Sequence, residues 1–223
     1  MVMDEASARR VSEAVSAAER LSNGEIVTIA ADRSDSYHDV ALLWAIGIAL
    51  MVPAFFALVP AMLTGALDWL SGGWSVSHEP ALICAALLAM MALKFLAAWL
   101  ILTWRPLRLW LTPKAVKAAR VRARAIACFK VGAERRTVGR TGILIYLSME
   151  EHVAEIVADE AIHARVPPEA WGAAMAAMID EVRAGRIADG IAAAVGHVGA
   201  ILAAHFPKSA DDTNELPDRL IIL

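Results

Sequence analysis

Cysteine is scarce in this chain, since only Cys84 and Cys128 occur among 223 residues. Cys84 lies in a long apolar stretch and Cys128 in a basic segment, so a disulfide framework is excluded and reducing surroundings are compatible with the sequence. The chain also lacks the basic start and adjoining apolar core of a signal peptide, because residues 4 to 39 are polar and mostly acidic. No cleaved leader is therefore expected.

Charges of one sign are absent from one segment and nearly absent from another. Residues 64–80 contain Asp68 and Glu79 but no Lys or Arg, whereas residues 105–140 contain eleven Lys or Arg and a single acid, Glu134. Positive charge favours the cytoplasmic side of a membrane. The pattern therefore predicts that residues 64–80 lie outside and that both termini are cytoplasmic.

Apolar residues are in excess, at 58% of the chain with a mean hydropathy of +0.53. The excess is concentrated in residues 40–63 and 81–104, and each stretch is long enough to cross a hydrocarbon core of about 30 Å. We predict that they form a two-helix transmembrane hairpin. Lys94 falls near the bilayer centre, where it either makes a polar contact in an oligomer or with a transport substrate, or snorkels to the basic side.

The remaining segments alternate between helical and strand patterns. Apolar residues recur every three or four positions in helices, while β-branched runs favour strands. The patterns predict helices over residues 6–21, 114–129 and 187–206 and one that begins at 169, and strands over 25–30, 142–148 and 152–158. The last helix contains His197 and His205, so we interpret it as a core helix and not as a third span.

This order predicts an α/β fold, an α/β/α sandwich on a small mixed sheet that is discontinuous in sequence. The expected divisions are residues 1–39 for the first part of the domain, 40–104 for the transmembrane hairpin, 105–206 for the remainder of the domain and 207–223 for the tail. Residues 216–222 are expected to dock as a final extended segment.

Three stretches resemble one protein family. They are AERLSNGEIVTIAADRSDSY (18–37), RTGILIYLSMEEHVAEIVADEAIHARV (140–166), and the segment from Trp171 through GRIADGIAAAVGHVGAILAAHFP (185–207). The chain resembles the TPM domain family, in particular a bacterial membrane branch with a hairpin inserted in the domain. The resemblance implies an α/β/α sandwich, and it implies acid phosphatase activity or calcium binding for some members and no established activity for many. It also implies a bacterial inner membrane.

Four carboxylates are the candidate metal ligands. Asp32 and Asp35 follow the first predicted strand, and Asp159 and Glu160 follow the third. If they converge at one edge of the sheet, their oxygens suit calcium or magnesium; otherwise they are loop caps and solvated charges. No phosphate-binding glycine-rich loop, HExxH motif or nucleophile elbow accompanies them. Glu150 and Glu151, in the predicted turn between the second and third strands, are expected to be solvated.

A basic cluster follows the second apolar stretch. We expect it to lie on the inner leaflet and to attract anionic headgroups; its members are Arg105, Arg108, Lys114, Lys117, Arg120, Arg122 and Arg124. Nucleic-acid binding is not expected, because no aromatic platform is interleaved with these charges. His152, His163, His197 and His205 show no metal-ligand spacing and receive no role.

These observations favour a membrane-anchored binding or scaffolding module on the cytoplasmic side, acting in envelope maintenance or in the assembly of a membrane complex. An unidentified protein or a second copy of the chain is the expected partner. The alternative is a metal-dependent acid phosphatase that uses the four carboxylates. Two spans with one buried charge make a transporter only if several copies assemble.

Overall fold

The structure is a computed structural model that describes residues 4–70, 72, 79–132, 141–209 and 219–223. It divides into two compact units. The first unit combines Met1–Asp35 with Lys114–Leu223, and the second is Ser36–Pro113. The chain therefore leaves the first unit after residue 35 and re-enters it at residue 114.

The described elements alternate as follows along the chain: α1 (Glu5–Glu19), β1 (Glu25–Ala31), α2 (His38–Leu58), α3 (Pro60–Leu70), α4 (Pro80–Ile101), α5 (Arg105–Leu111), α6 (Lys114–Gly132), β2 (Gly142–Ser148), β3 (Val153–Ala158), α7 (Glu160–His163), α8 (Trp171–Arg183), α9 (Ile187–His205) and β4 (Ile221–Ile222). A short 3-10 turn, Pro168–Ala170, precedes α8. The helices and strands predicted from the sequence are found within a few residues of their expected bounds. The short helices α5 and α7 were not predicted.

The four strands form one mixed sheet in the order β3-β2-β1-β4. β1 lies parallel to both β2 and β4, while β3 is antiparallel to β2. The pairing of β4 with β1 confirms that the end of the chain docks as an extended segment. The α/β fold on a small mixed sheet is likewise as predicted.

Alternate side chains of the strands supply two apolar cores, as the period of two in a strand requires. On one face, Ile26, Ile143 and Ile145 pack with residues of α1, α8 and α9. On the other face, Val27, Leu144 and Tyr146 pack with Val121, Ala125 and Phe129 of α6. The first unit is therefore a three-layer α/β/α sandwich.

α9 contributes to the larger core and crosses α1 closely. Gly199 permits this approach, because a Cβ at this position would lie 2.5 Å from the Cβ of Ala18. Residues of α9 such as Val195, Val198 and Leu202 are fully buried. The helix therefore packs in the core of the sandwich, as expected from the sequence, although it is also long and apolar enough to cross a membrane.

The second unit is built from α2 to α5, with α2 and α4 packed together. The described residues contain three helices long and apolar enough to cross a membrane, and two of them are α2 and α4, with mean hydropathies of 2.4 and 2.3. The first predicted span, residues 40–63, is interrupted at Val59, since the residue before a proline disfavours the helical conformation. The chain then continues as α3 from Pro60.

Candidate functional site

The carboxyl ends of β1 and β2 carry a network of polar side chains. In parallel α/β sheets this edge is where ligands usually bind. We define the carboxyl-edge cluster as Ser34, Tyr146, Ser148 and Glu151. The Ser34 hydroxyl lies 3.1 Å from the Tyr146 hydroxyl and 2.8 Å from the Ser148 hydroxyl. Parallel pairing of β1 and β2, with Ala31 opposite Ser148, brings these groups together.

Glu151 anchors this cluster from the turn between β2 and β3. Its Oε1 accepts a hydrogen bond of 3.0 Å from the backbone N–H of Ser34, and its Oε2 accepts one of 2.5 Å from the Ser148 hydroxyl. Only 5% of Glu151 is exposed. Because both carboxylate oxygens are engaged, Glu151 ties the loop after β1 to the β2–β3 turn. The expectation that Glu151 is solvated is therefore wrong, while Glu150 is exposed.

Tyr146 lies at the inner side of the cluster. Burial of its side chain raises the pKa of the phenol above its ordinary value of 10.0, and the hydrogen bond with Ser34 partly opposes that rise. The phenol therefore stays protonated at neutral pH and acts as a hydrogen-bonding group.

Asp35 and Arg120 form an ion pair within the first unit. Arg120 Nη1 of α6 donates a hydrogen bond of 2.7 Å to Asp35 Oδ2. Asp35 is the last residue of the first unit before the insertion, and the chain re-enters that unit at Lys114. Arg120 lies six positions after this re-entry (120 − 114). This ion pair therefore connects the outgoing and returning segments of the α/β unit.

The four predicted metal ligands do not converge. Asp32 and Asp35 follow β1 at its carboxyl end, but β3 runs antiparallel to β2, so Asp159 lies beside Gly142 at the opposite edge of the sheet. There Asp159 Oδ2 accepts a 2.9 Å hydrogen bond from the Gly142 N–H. Seven strand residues at about 3.3 Å each separate the two edges by roughly 20 Å.

The expected convergence is therefore wrong, and its physical cause is the direction of β3. Glu160 is exposed at the start of α7, on the same edge as Asp159. Among the described residues no group of three or more His, Cys, Asp or Glu side chains could hold a metal ion. Calcium and magnesium thus have no common site formed by these four carboxylates.

The seven residues of the predicted basic cluster fall into different environments. Arg108 of α5 is buried, with its Nη1 3.2 Å from His38 Nδ1, and Arg120 pairs with Asp35. Arg122 pairs with Glu155 at 3.2 Å. The exposed members are Arg105, Lys114, Arg122 and Arg124, and Lys117 is half-buried. Three of the seven, Arg108, Arg120 and Arg122, therefore have structural partners that limit their reach toward a lipid surface.

A cavity of about 210 Å³ lies between the carboxyl end of β2 and α8, and Ser148 is the one member of the carboxyl-edge cluster in its lining. His152 contributes from the β2–β3 turn, and Met178, Ile179 and Arg183 contribute from α8. His152 has a positive φ of 54°, an uncommon conformation for a residue other than glycine. Because sites for whole small molecules usually occupy about 300–1,000 Å³, this cavity suits a single side chain or a small anion.

Sequence reasoning missed Glu151, Ser34, Ser148 and Tyr146 as a group. The one available signal was that polar residues follow two neighbouring parallel strands, which share their carboxyl edge. That signal led to Asp32 and Asp35 but did not distinguish Glu151 from Glu150. The distinction depends on the conformation of the turn, in which His152 adopts the left-handed region.

The mixed sheet with helices on both faces defines an α/β/α sandwich domain whose polar groups gather at the carboxyl edge of its parallel strands. Residues 115–201 match the family model of the TPM domain. The match agrees with the resemblance predicted from the sequence and covers β2, β3 and most of the helices that follow them.

One solved structure with a similar fold is the NMR structure of the BA42 protein from the psychrophilic bacterium Bizionia argentinensis sp. nov.. The TM-score is 0.57 and the sequence identity 16%, with 100% of this chain and 97% of that chain covered. At this identity the likeness concerns the fold alone. No curated protein sequence matches the chain.

Proposed function

We propose that this chain is a membrane-anchored TPM domain protein that acts as a binding or scaffolding module on the cytoplasmic side of the bacterial inner membrane. Its role would lie in envelope maintenance or in the assembly of a membrane complex. The observation that carries the proposal is the insertion of two apolar helices, α2 and α4, between β1 and β2 of a TPM domain.

The surface of the second unit supports anchoring. Large apolar side chains that a soluble protein would bury are exposed along α2 and α4; they include Leu43, Met51, Leu58, Leu88, Leu93 and Leu100. Exposed apolar surface of this extent favours contact with lipid or with another protein. Trp69 near the end of α3 and Trp104 and Trp110 near α5 are exposed at positions where indoles suit a membrane interface.

The carboxyl edge supports a binding role. Its cavity of about 210 Å³ combines an apolar lining with exposed His152 and Arg183. These features suit one apolar or acidic side chain of a partner protein better than a complete metabolite. A scaffold that recognises a protein partner, or a second copy of this chain, requires no catalytic group.

Anchoring is tested by alkaline carbonate extraction of membranes from cells that produce the full chain. We expect the protein to stay in the membrane pellet, because peripheral proteins are released and spanning hairpins are not. A variant with Leu88→Asp and Leu93→Asp should insert poorly, since charged residues at the centre of a span cost about 2.5–3.5 kcal/mol each. Quantitative release of the wild-type chain would contradict the proposal.

Partner binding is tested by placing a photo-reactive residue at Ile179, which lines the cavity, in the full membrane-bound chain. The control position is Ala173, which is exposed on the same helix and does not line the cavity. We expect a discrete adduct at position 179, absent at 173 and reduced by Arg183→Ala. A homo-oligomer would give an adduct of twice the chain's mass, and equal adducts at both positions would contradict a specific site.

The second candidate, a metal-dependent acid phosphatase, depended on Asp32, Asp35, Asp159 and Glu160. Because the two pairs lie at opposite edges of the sheet, no observation on the described residues favours it. The test is phosphate-ester hydrolysis by the purified full chain. Hydrolysis that requires calcium or magnesium and is abolished by Asp32→Ala would favour the phosphatase over the scaffolding role.

A further inference from the structure

A larger cavity lies on the other face of the sheet, between the strands and α6. Its volume is about 390 Å³, within the usual range of sites that bind small molecules. The strands contribute Val27, Ile29, Leu144 and Ile221, and α6 contributes Phe129. The floor of this cavity, which we call the α6 cavity, is therefore apolar.

The outer wall of the α6 cavity is one stripe of the helix. Arg124, Ala127, Cys128 and Val131 all line it and are spaced i, i+3, i+4 and i+7, which places them on the same helical face. Val131 is 83% exposed, so the wall ends at the surface. The cavity is thus an open apolar slot and not a sealed packing defect.

Arg124 is the cation that borders this slot in the part of the chain that the structure describes. On the same helix, Arg120 pairs with Asp35 and Arg122 pairs with Glu155. Arg124 makes no hydrogen bond or ion pair with any described residue, and it is exposed. An apolar slot with an available guanidinium at its border complements a molecule that has an apolar chain and an anionic head.

We propose that the α6 cavity binds a single-chain anionic amphiphile, with its acyl chain against β1, β2 and α6 and its carboxylate or phosphate on Arg124. The chain would bury apolar surface that the slot now exposes to water, which is the main driving force for such binding. The inference is independent of the proposed scaffolding role, because it uses neither the carboxyl-edge cluster nor the second unit.

Cys128 provides a direct reporter, because it lines the cavity and is half-buried. The experiment uses the full chain with Cys84→Ala, so that Cys128 is the single thiol, in phosphatidylcholine nanodiscs. The rate of alkylation by N-ethylmaleimide is measured with dodecanoate, dodecyl phosphate or dodecanol. We expect the two anionic amphiphiles to slow alkylation about fivefold at about four times their Kd, and dodecanol to be less effective.

Two matched pairs of variants separate the cavity from general effects on the bilayer. Ala127→Trp fills the slot from an exposed position of α6 and should abolish protection, whereas Ala119→Trp, two turns earlier on that helix, should leave it intact. Arg124→Gln should reduce protection by dodecanoate to the level of dodecanol. Lys130→Gln, exposed and outside the lining, should have no such effect.

The outcomes decide both the site and the source of its ligand. Protection that Ala127→Trp and Arg124→Gln leave unchanged would overturn the proposal, since the amphiphile would then act through the bilayer. Equal protection by dodecanol would overturn the role of Arg124. Protection without added amphiphile in phosphatidylglycerol nanodiscs, lost in Ala127→Trp, would support the site and identify an anionic lipid of the bilayer as its occupant.

Discussion

Glu150 and Glu151 are adjacent in one turn but have opposite environments. Glu150 is exposed, whereas Glu151 accepts hydrogen bonds from the Ser34 N–H and the Ser148 hydroxyl while only 5% exposed. A carboxylate can be buried at this low exposure only if donors replace its water. The contacts of Glu151 therefore stabilise the loop after β1 in the position it occupies.

Removal of this carboxylate should destabilise the α/β unit. Glu151→Ala leaves the Ser34 N–H and the Ser148 hydroxyl without their acceptor, so we expect the free energy of unfolding to fall by about 2–4 kcal/mol. Glu150→Ala, one residue earlier and exposed, should change it by less than about 0.5 kcal/mol. Denaturant unfolding of the full chain in mild detergent measures both. Similar losses for the two variants would contradict the role assigned to Glu151.

Tyr146 should make stability depend on pH in the alkaline range. Its pKa is raised in the folded chain by burial, above the ordinary value of 10.0 that applies after unfolding. Between these two pKa values the unfolded chain releases a proton that the folded chain retains. Stability is therefore unaffected by this group below about pH 10 and falls as pH rises toward the folded pKa, by at most about 1.4 kcal/mol per pH unit.

Substitution of Tyr146 by phenylalanine should remove this alkaline slope. The chain has two tyrosines, so Tyr37→Phe provides the matched control and should retain the slope. Unfolding curves collected at a series of alkaline pH values measure the slope in each variant. Tyrosinate absorbance of the Tyr37→Phe variant reports the pKa of Tyr146 directly, and a midpoint at or below the ordinary value would refute the expected shift.

The crossing of α1 and α9 should be sensitive to one methyl group. Gly199→Ala would bring its Cβ within 2.5 Å of the Ala18 Cβ, so the helices must separate, and we expect a loss of about 1–3 kcal/mol. Gly196 of the same helix is exposed and a Cβ there would meet no atom within 4 Å. Gly196→Ala should therefore stabilise the chain by up to about 1 kcal/mol. Opposite shifts in the melting temperatures of the two variants would verify the close contact between Gly199 and Ala18.

The Asp35–Arg120 ion pair should contribute a measurable coupling free energy between the segments on either side of the insertion. Both side chains are partly exposed, at 36% and 24%, so solvent screening limits the expected coupling to about 0.5–1 kcal/mol. A double-mutant cycle with Asp35→Asn and Arg120→Gln measures it. The Arg122–Glu155 pair, in which Arg122 is 63% exposed, is the control and should couple less strongly. No coupling between Asp35 and Arg120 would refute the contact.

The sequence predicted the elements of the sandwich better than their directions. Apolar periodicity was sufficient for the helices and strands, because residues such as Val11, Val15 and Ala18 must face a core at helical spacing. The short turn between β2 and β3 requires an antiparallel pair, and the expected convergence of the four carboxylates did not take this into account. For this reason Asp159 was expected beside Asp32 and instead lies beside Gly142. The carboxyl-edge cluster was missed for a different reason, because it depends on the register of β1 with β2 and on the conformation of the β2–β3 turn.

The second unit interrupts the first in sequence without disrupting the α/β sandwich, because the segments on both sides of it belong to the first unit. β1 ends at Ala31, the second unit begins at Ser36, and α6 returns to cover the sheet through Val121, Ala125 and Phe129. A parallel strand pair needs a crossover connection in any case, and here that connection contains α2 to α5 before α6. A long insertion in this connection can therefore be accommodated without any change in strand order.

This arrangement, combined with the charge bias of the sequence, predicts on which side of the membrane α6 and the end of α3 lie. In a chain with Cys84→Ala, Cys128 of α6 should react with a membrane-impermeant maleimide only after spheroplasts are permeabilised. In a second chain, which lacks both native cysteines and carries Leu70→Cys at the exposed end of α3, labelling should occur in intact spheroplasts. The difference follows because residues 64–80 contain no Lys or Arg while residues 105–140 contain eleven. The reverse labelling pattern would put the α/β unit outside the cell and refute a cytoplasmic binding role.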